Sequence, residues 1–307
     1  MKRRIIAAIA AVVVVVAGAL GLVGATPASA AYAANGEPVW IPRNAVNSAD
    51  LLRADNRALA KVGNVVYVGG DFTELAPELG APAVQQANLA AFNATTGVPV
   101  ASFTPHLDGK VYAMVASADG TALYVGGSFT GGFAILDPTT GQPKGTQLST
   151  DGEVHALYLD GGSLYVGGQF QKFGGVNNRK MMAKLATASL MVDPTFDPAF
   201  VGGMVDAIDI SPDHTRLYAG GRFTTLNNGA VGKVVALNQT NGALDPSFAP
   251  PFSTTKQPVE DIEALNTKVF VALGGGYNRF VQFNAASGAQ EPYSCAPVTA
   301  LNWTKRL

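Results

Sequence analysis

The residues with which a chain does chemistry are scarce here, and they are scattered. The three histidines, His106, His155 and His214, lie far apart, and Cys295 is the sole cysteine. A zinc centre draws its ligands from clustered His, Cys or carboxylate side chains, so the sequence carries no metal signature and no cofactor is expected. There is no Gly-x-Ser-x-Gly elbow for a serine nucleophile, and no glycine-rich phosphate loop ahead of a helix. Carboxylates gather twice: Asp151 with Glu153, and Glu260 with Asp261 and Glu263. Paired carboxylates suit glycoside hydrolysis or calcium binding. The simpler reading is a solvated turn, and no catalytic residue is assigned.

A better pointer is variation inside a fixed frame. The phrase Tyr67-Val68-Gly69-Gly70-Asp71-Phe72 returns at Tyr124 to Phe129, at Tyr165 to Phe170 and at Tyr218 to Phe223. A worn copy reads Ala272-Leu273-Gly274-Gly275-Gly276-Tyr277. Ahead of each phrase lies a run of the form Val-x-Ala-apolar, beginning at Val111, Val154 and Val205, with Val259 as a variant. The x residues of this run are Tyr112, His155, Asp206, Glu260 and Thr299. The residues after Gly-Gly are Asp71, Ser128, Gln169, Arg222 and Gly276. Positions that only pack would repeat one residue type. These do not, so Tyr112, His155, Asp206, Glu260, Asp71, Gln169 and Arg222 are candidate ligand contacts. The alternative is that both sets merely face solvent. The segment Glu74 to Gln86, an apparent insertion in the first copy, is the other candidate surface, because loops on rigid sheets commonly carry binding.

The elements that must position these residues follow from the same repeat. The glycine pairs fall 57, 41, 53 and 54 residues apart. A period near fifty, built on strand-forming residues, indicates one supersecondary unit copied around an axis. Each copy holds four apolar runs. The third run ends in Asn or Asp, with Gly97, Gly141 or Gly242 four residues later to close a turn; the third copy has Leu190 there. The fourth ends in Phe-x-Pro, as at Phe103, Phe196 and Phe248. The expected fold is all-β: a β-propeller of four-stranded antiparallel blades, five full repeats plus an incomplete sixth. Gly36 to Pro42 reads as a fourth strand and Val298-Thr299-Ala300-Leu301 as a first strand, so the sixth blade would lack its middle.

Residues 1–30 read as a signal peptide: a basic start at Lys2, Arg3 and Arg4, an apolar run from Ile5 to Val23, and a small-x-small site at Ala28-Ser29-Ala30. The run is almost long enough for a membrane anchor, but it ends in small residues and no basic cluster follows. Residues 31–307 then form the propeller domain, secreted, with no membrane contact after cleavage. Removing Lys2, Arg3 and Arg4 from 21 basic residues leaves 18 against 22 acidic ones. Nucleic acid needs a basic footprint, so it is not an expected partner. Cys295 has no internal partner and reads as a buried small side chain, or as a bond to another chain.

The unit Gly168-Gln169-Phe170-Gln171-Lys172-Phe173-Gly174-Gly175 runs through Asn177-Asn178-Arg179 to Asp193-Pro194-Thr195-Phe196. With Gly221-Arg222-Phe223-Thr224 and Leu244-Asp245-Pro246-Ser247-Phe248, it resembles the delta-60 repeat, a domain of unknown function in secreted bacterial proteins, mainly actinobacterial. The resemblance covers roughly Leu51 to Pro297 and is weakest in the second copy, which lacks the Arg loop. It implies a β-propeller and carries over no catalytic residue. The expected role is a secreted, non-catalytic binding or scaffold module, a monomer that meets a glycan, the cell envelope or a protein. The alternative is an extracellular hydrolase or lyase acting on polysaccharide, with carboxylates at the propeller channel.

Overall fold

The computed structural model describes residues 40–43, 55–77, 82–226, 229–251, 257–274 and 279–292. The signal segment, Cys295, Gly276, Thr299 and the run Val298 to Leu301 lie outside the described residues. The described chain is all-β, with small open sheets and no helix. No described helix is long and apolar enough to cross a membrane. By internal contacts the chain forms two compact units. One takes the described residues up to Leu123 with Leu136–Lys144, and the other takes Tyr124–Ile135 with those from Gly145 to Pro297.

Five sheets follow the repeat. They are Asp55–Val62, Val65–Asp71 and Leu89–Asn93; Val111–Ala116, Leu123–Gly127 and Phe133–Leu136; Glu153–Asp160, Ser163–Gln169, Met182–Ala186 and Met191–Val192; Val205–Ile210, Arg216–Gly221 and Val234–Asn238; and Val259–Ala264, Lys268–Leu273, Arg279–Asn284 and Gln290–Glu291. Only the third and fifth are four-stranded. In the others the fourth run is reduced to one bridge, Phe92 to Pro99, Leu136 to Pro143 and Leu237 to Leu244. Two of these bridges fall on proline, which has no N–H to extend a ladder.

Why the constant residues are constant is visible at atomic scale. The first glycine of each phrase faces a valine of the next Val-x-Ala run. A Cβ at Gly167 would sit 2.7 Å from Val205 Cγ1. At Gly69, Gly126 and Gly220 it would come closer still to Val111, Val154 and Val259. The four valines are fully buried. The tyrosines of the phrase reach the same way. Tyr67 donates its hydroxyl to Pro138 O at 2.7 Å, Tyr165 to Gln239 O at 3.4 Å and Tyr218 to Ala285 O at 3.1 Å. Each acceptor lies just past the third strand of the following sheet. Phe103, Phe196 and Phe248 from the fourth runs pack edge-on against these rings, with centroids 5.1–5.6 Å apart. Burial pushes the Tyr67 and Tyr165 hydroxyls up to about 12.

Four expectations need correction. Of the expected fourth strand Gly36 to Pro42, residues 36–39 lie outside the described residues, and the rest belongs to a strand, Trp40–Arg43, that pairs antiparallel with Glu74–Pro77. Glu74 to Gln86 is not a lone insertion either. Its strands Glu74–Pro77 and Val84–Gln85 form the first copy of a small hairpin that recurs at Lys172–Phe173 with Val176–Asn177, and at Thr225–Leu226 with Gly229–Ala230. Phe200–Val201 pairs with the last of these as Trp40–Arg43 does with the first. In the fifth copy, spacing aligned Gly274-Gly275 with the glycine pair, but register puts Ala272 and Leu273 there, opposite Asp261 and Val259. Strand register is fixed by side-chain alternation, which a sequence period cannot count to the residue. Finally, the third copy keeps the closing turn without glycine. Leu190 takes φ +56°, beside +71° to +76° at Gly97, Gly141, Gly242 and Gly288. The Arg loop of the third copy is structural: Arg179 is buried and donates to Pro194 O at 2.8 Å.

Gly167→Ala is expected to lower unfolding stability by about 1–3 kcal/mol through overpacking against Val205. Leu190→Gly relieves a left-handed side-chain conformation and should raise stability by about 1 kcal/mol. Urea unfolding midpoints measure both; an unchanged midpoint for Gly167→Ala would remove the glycine–valine contact as a constraint.

Candidate binding site at the bulged strand ends

Every x residue whose pairing is resolved is the extra residue of a β-bulge. The register skips between Asn56 and Ala58, Val154 and Ala156, Val205 and Ala207, and Val259 and Asp261. The residues left over are Arg57, His155, Asp206 and Glu260. A bulge leaves one residue unpaired, bends the strand and re-aims its side chain. The second glycine of the phrase faces the bulge: a Cβ at Gly168 or Gly221 would press on the backbone of Val154 or Val205. The bulge therefore lies on the first strand, and the glycines make room for it.

In the second unit these side chains meet. His155 Nε2 lies 2.9 Å from Glu153 Oε2, and its Nδ1 lies 3.4 Å from Asp206 Oδ1. Arg222, the residue after Gly-Gly, places Nε 3.1 Å from Asp206 Oδ2 and Nη2 3.3 Å from Glu260 Oε1. The result is a continuous polar row, Glu153, His155, Asp206, Arg222, Glu260, across three consecutive sheets. Its middle is covered and its ends are open: the Asp206 side chain is 7% exposed, those of Arg222 and Glu260 49% and 46%. Burial pushes the Asp206 carboxyl above its ordinary range and the Glu260 charge adds to that, while Arg222 and His155 pull it down. The exposed pair Arg222–Glu260 contributes about 0–1 kcal/mol, so that end of the row is not a stability device.

A second row lies within the first unit. Arg57 Nε donates to Asp55 Oδ2 at 2.6 Å, and its guanidinium lies 5.3 Å from the centre of the Tyr112 ring. Lys110 Nζ is 2.7 Å from Asp71 Oδ2, and this carboxylate holds the ammonium above its usual range. Of the candidates, Tyr112 and Asp71 belong to this row, and His155, Asp206, Glu260 and Arg222 to the other. Gln169 is exposed at its strand end, paired in register with Glu153.

Arg57, Lys110 and Glu153 escaped the sequence reading as row members. Arg57 was hidden because Asn56-Arg57-Ala58 carries Asn where the run expects Val. Lys110 and Glu153 were hidden because they precede the run. The two acidic clusters come apart. Asp151 accepts the backbone N–H of Gln171 and Lys172, and is held below its usual range by those bonds against the pull of burial. Asp261 accepts the N–H of Ile262 at 2.9 Å. Glu153 and Glu260 join the row. Among the described residues no group of three or more His, Cys, Asp or Glu could hold a metal ion. The row sets carboxylate acceptors around a guanidinium, groups that can hydrogen-bond a polar ligand.

No family model and no curated protein matches the chain. Solved structures do. A computationally designed protein, Ika8, matches at TM-score 0.50 and 12% identity over 83% of this chain and 64% of its own. The extracellular domain of a candidate one component system, BT4673, from B. thetaiotaomicron matches at TM-score 0.50 and 12% identity, over 83% of this chain and 29% of that one. The chain thus spans less than two thirds of each, and the likeness is one of fold alone.

Because the folded Asp206 carboxyl titrates above its ordinary value of 3.8, the native state binds more protons than the unfolded chain between those two values. The contribution of Asp206 to stability therefore falls as pH rises through that window and levels off above it. Asp206→Asn should remove this fall, read from urea midpoints between pH 3 and 7. Arg222→Ala should raise the Asp206 titration point further, read by carboxyl NMR.

Proposed function

We propose that the chain is a secreted, non-catalytic β-propeller module that binds a polar extracellular partner, a glycan first, through the row Glu153, His155, Asp206, Arg222 and Glu260. The observation that carries this is the pairing of an invariant frame with variable bulge residues whose side chains touch from sheet to sheet. A frame that only packed would have no reason to change residue type at the one position the bulge frees. The half-exposed Arg222 and Glu260 offer a donor and an acceptor side by side, the pairing that vicinal hydroxyls accept.

Several features support the propeller reading. Five sheets recur with one internal order, and each glycine pocket takes the next sheet's valine. The delta-60 resemblance points to the same architecture. The basic start, apolar run and Ala-Ser-Ala site support secretion. The enzyme reading keeps one specific support, a partly covered carboxyl at Asp206 raised by burial beside a second carboxylate at Glu260.

The two readings part on one experiment. The mature chain is applied to a glycan array, and bound glycans are then incubated with it and checked for released product. Binding without turnover, weakened tenfold or more in Arg222→Ala and Glu260→Gln with melting temperatures kept, supports the module. Product release abolished by Asp206→Asn or Glu260→Gln would establish the enzyme instead. Binding that ignores all three substitutions would remove the row as the site.

A further inference from the structure

The third sheet holds a cleft that the fourth sheet, built on the same repeat, has filled. It lies at the end of strand Ser163–Gln169 farthest from Glu153, and Ser163, Lys184 and Asp193 are its polar lining. Its volume is about 280 Å³. Register puts Ser163, Tyr165, Lys184, Ala186 and Met191 on one face of the sheet. Ala186, Met191, Val192 and Pro194 make an apolar wall. Met191, 69% exposed, is the open side of that wall.

In the fourth sheet Arg216 stands two residues ahead of Tyr218, as Ser163 does ahead of Tyr165. Asp245 matches Asp193: each donates its N–H to the third-strand residue opposite the tyrosine, Ala236 or Lys184. The Arg216 guanidinium meets Asp245 Oδ2 at 2.9 Å, Ser247 Oγ at 2.8 Å and the carbonyl oxygen of Ala285. Ala285 O also accepts from Tyr218, so it matches Gln239 O, the acceptor of Tyr165. In the third sheet the cation is Lys184 instead, where the fourth has Ala236. An ammonium is compact and makes no forked contact. Lys184 Nζ donates to Gln239 O at 3.2 Å and stops 3.6 Å from Asp193 Oδ2, too far for a hydrogen bond. Thr195 holds the other oxygen, Oδ1, with its N–H and hydroxyl. Burial pushes the Asp193 carboxyl up, but the Thr195 bonds and the Lys184 charge outweigh it and keep the group below its ordinary range. With serine in place of arginine, the cleft is the volume left over.

We propose that this cleft binds one neutral sugar ring, a pyranose residue that is free or ends a glycan. Lys184 and Asp193 cancel in charge, so the pair does not select an ion. A hydroxyl accepts from an ammonium and donates to a carboxylate at once. The 3.6 Å gap lets one oxygen reach both partners at ordinary hydrogen-bond lengths. Ser163 in the lining offers a second hydroxyl contact, and the apolar wall covers the C–H face of the ring. The cleft is smaller than the roughly 300–1,000 Å³ of sites for drug-sized ligands, which limits the occupant to one ring. It lies at the other end of its strand from the row that begins at Glu153, so it stands or falls apart from that site.

The test follows the Met191 methyl group by NMR in the mature chain, isotopically labelled at its methionine methyls. The probes are the methyl pyranosides of glucose, galactose and mannose, with glucuronic acid and glucosamine as charged controls. At least one neutral pyranoside should shift the methyl saturably and bind more tightly than either control. Ser163→Arg combined with Lys184→Ala rebuilds the fourth sheet's arrangement; it should keep its melting temperature and lose the shift. Ser163→Val, which copies Val65 of the first sheet, should weaken binding at least threefold, and it decides the matter if the double variant melts low. A hexasaccharide of the same sugar that binds as well as the pyranoside assigns the cleft to chain ends, and binding of the pyranoside alone assigns it to free sugar. No saturable shift, preference for a charged control, or a shift indifferent to the Ser163 variants overturns the proposal. A shift lost in Arg222→Ala overturns it too and returns sugar binding to the polar row.

Discussion

The structure depends on one contact: a valine side chain from one sheet seated where the previous sheet's strand has no side chain. A Gly-Gly strand end alone loses conformational entropy and buries little. It becomes favourable only because the missing Cβ admits a branched side chain, which fills the gap at van der Waals distance. The same pair solves a second problem. The glycine next along makes room for the bulged backbone opposite it, and the bulge throws one residue out of the ladder. Packing and display are thus coupled. The sheets cannot stack this way without the glycines, and the glycines cannot be there without leaving space for a bulge residue.

That coupling explains the division of labour in the phrase. Tyr67, Tyr165 and Tyr218 cross to a carbonyl beyond the next sheet's third strand, and fourth-run phenylalanines close over them. These residues are bound to a neighbour on several sides and have no freedom to vary. The bulge residue answers to nothing in the frame. It is the position at which a ligand could impose its own demands, and there the chain carries Arg57, His155, Asp206 and Glu260. Within the second unit the bulge side chains touch, His155 with Asp206, and Asp206 and Glu260 with Arg222.

Much of this was legible in the residues. The period, the four runs, the turn glycines and the variable x positions can all be read along the chain, because local propensity and hydrophobic alternation are written locally. The site was half legible. His155, Asp206, Arg222 and Glu260 stand where the copies disagree. Arg57 was missed because Asn56 stands in for the expected valine. Glu153 reads in the sequence only as one of a pair with Asp151, and Lys110 not at all, because nothing local marks a charge one step ahead of the run as part of a row. Leu190 shows the limit from the other side: a turn that asks for glycine was held without it, by the hydrogen bond from Leu190 N–H to Ala186 O at 2.8 Å.

The sequence by itself determined the all-β class, the repeat and the positions free to vary, since these follow from periodicity and residue type. Only the tertiary structure decided which strand bulges, which charges touch, and that the fifth copy carries Ala272 and Leu273 where the glycines belong. Register and contact between sheets are settled by side chains far apart in the chain, such as Gly69 with Val111 and Gly220 with Val259. A one-residue slip exchanges every side chain from face to face, and no local pattern in the chain counts that finely.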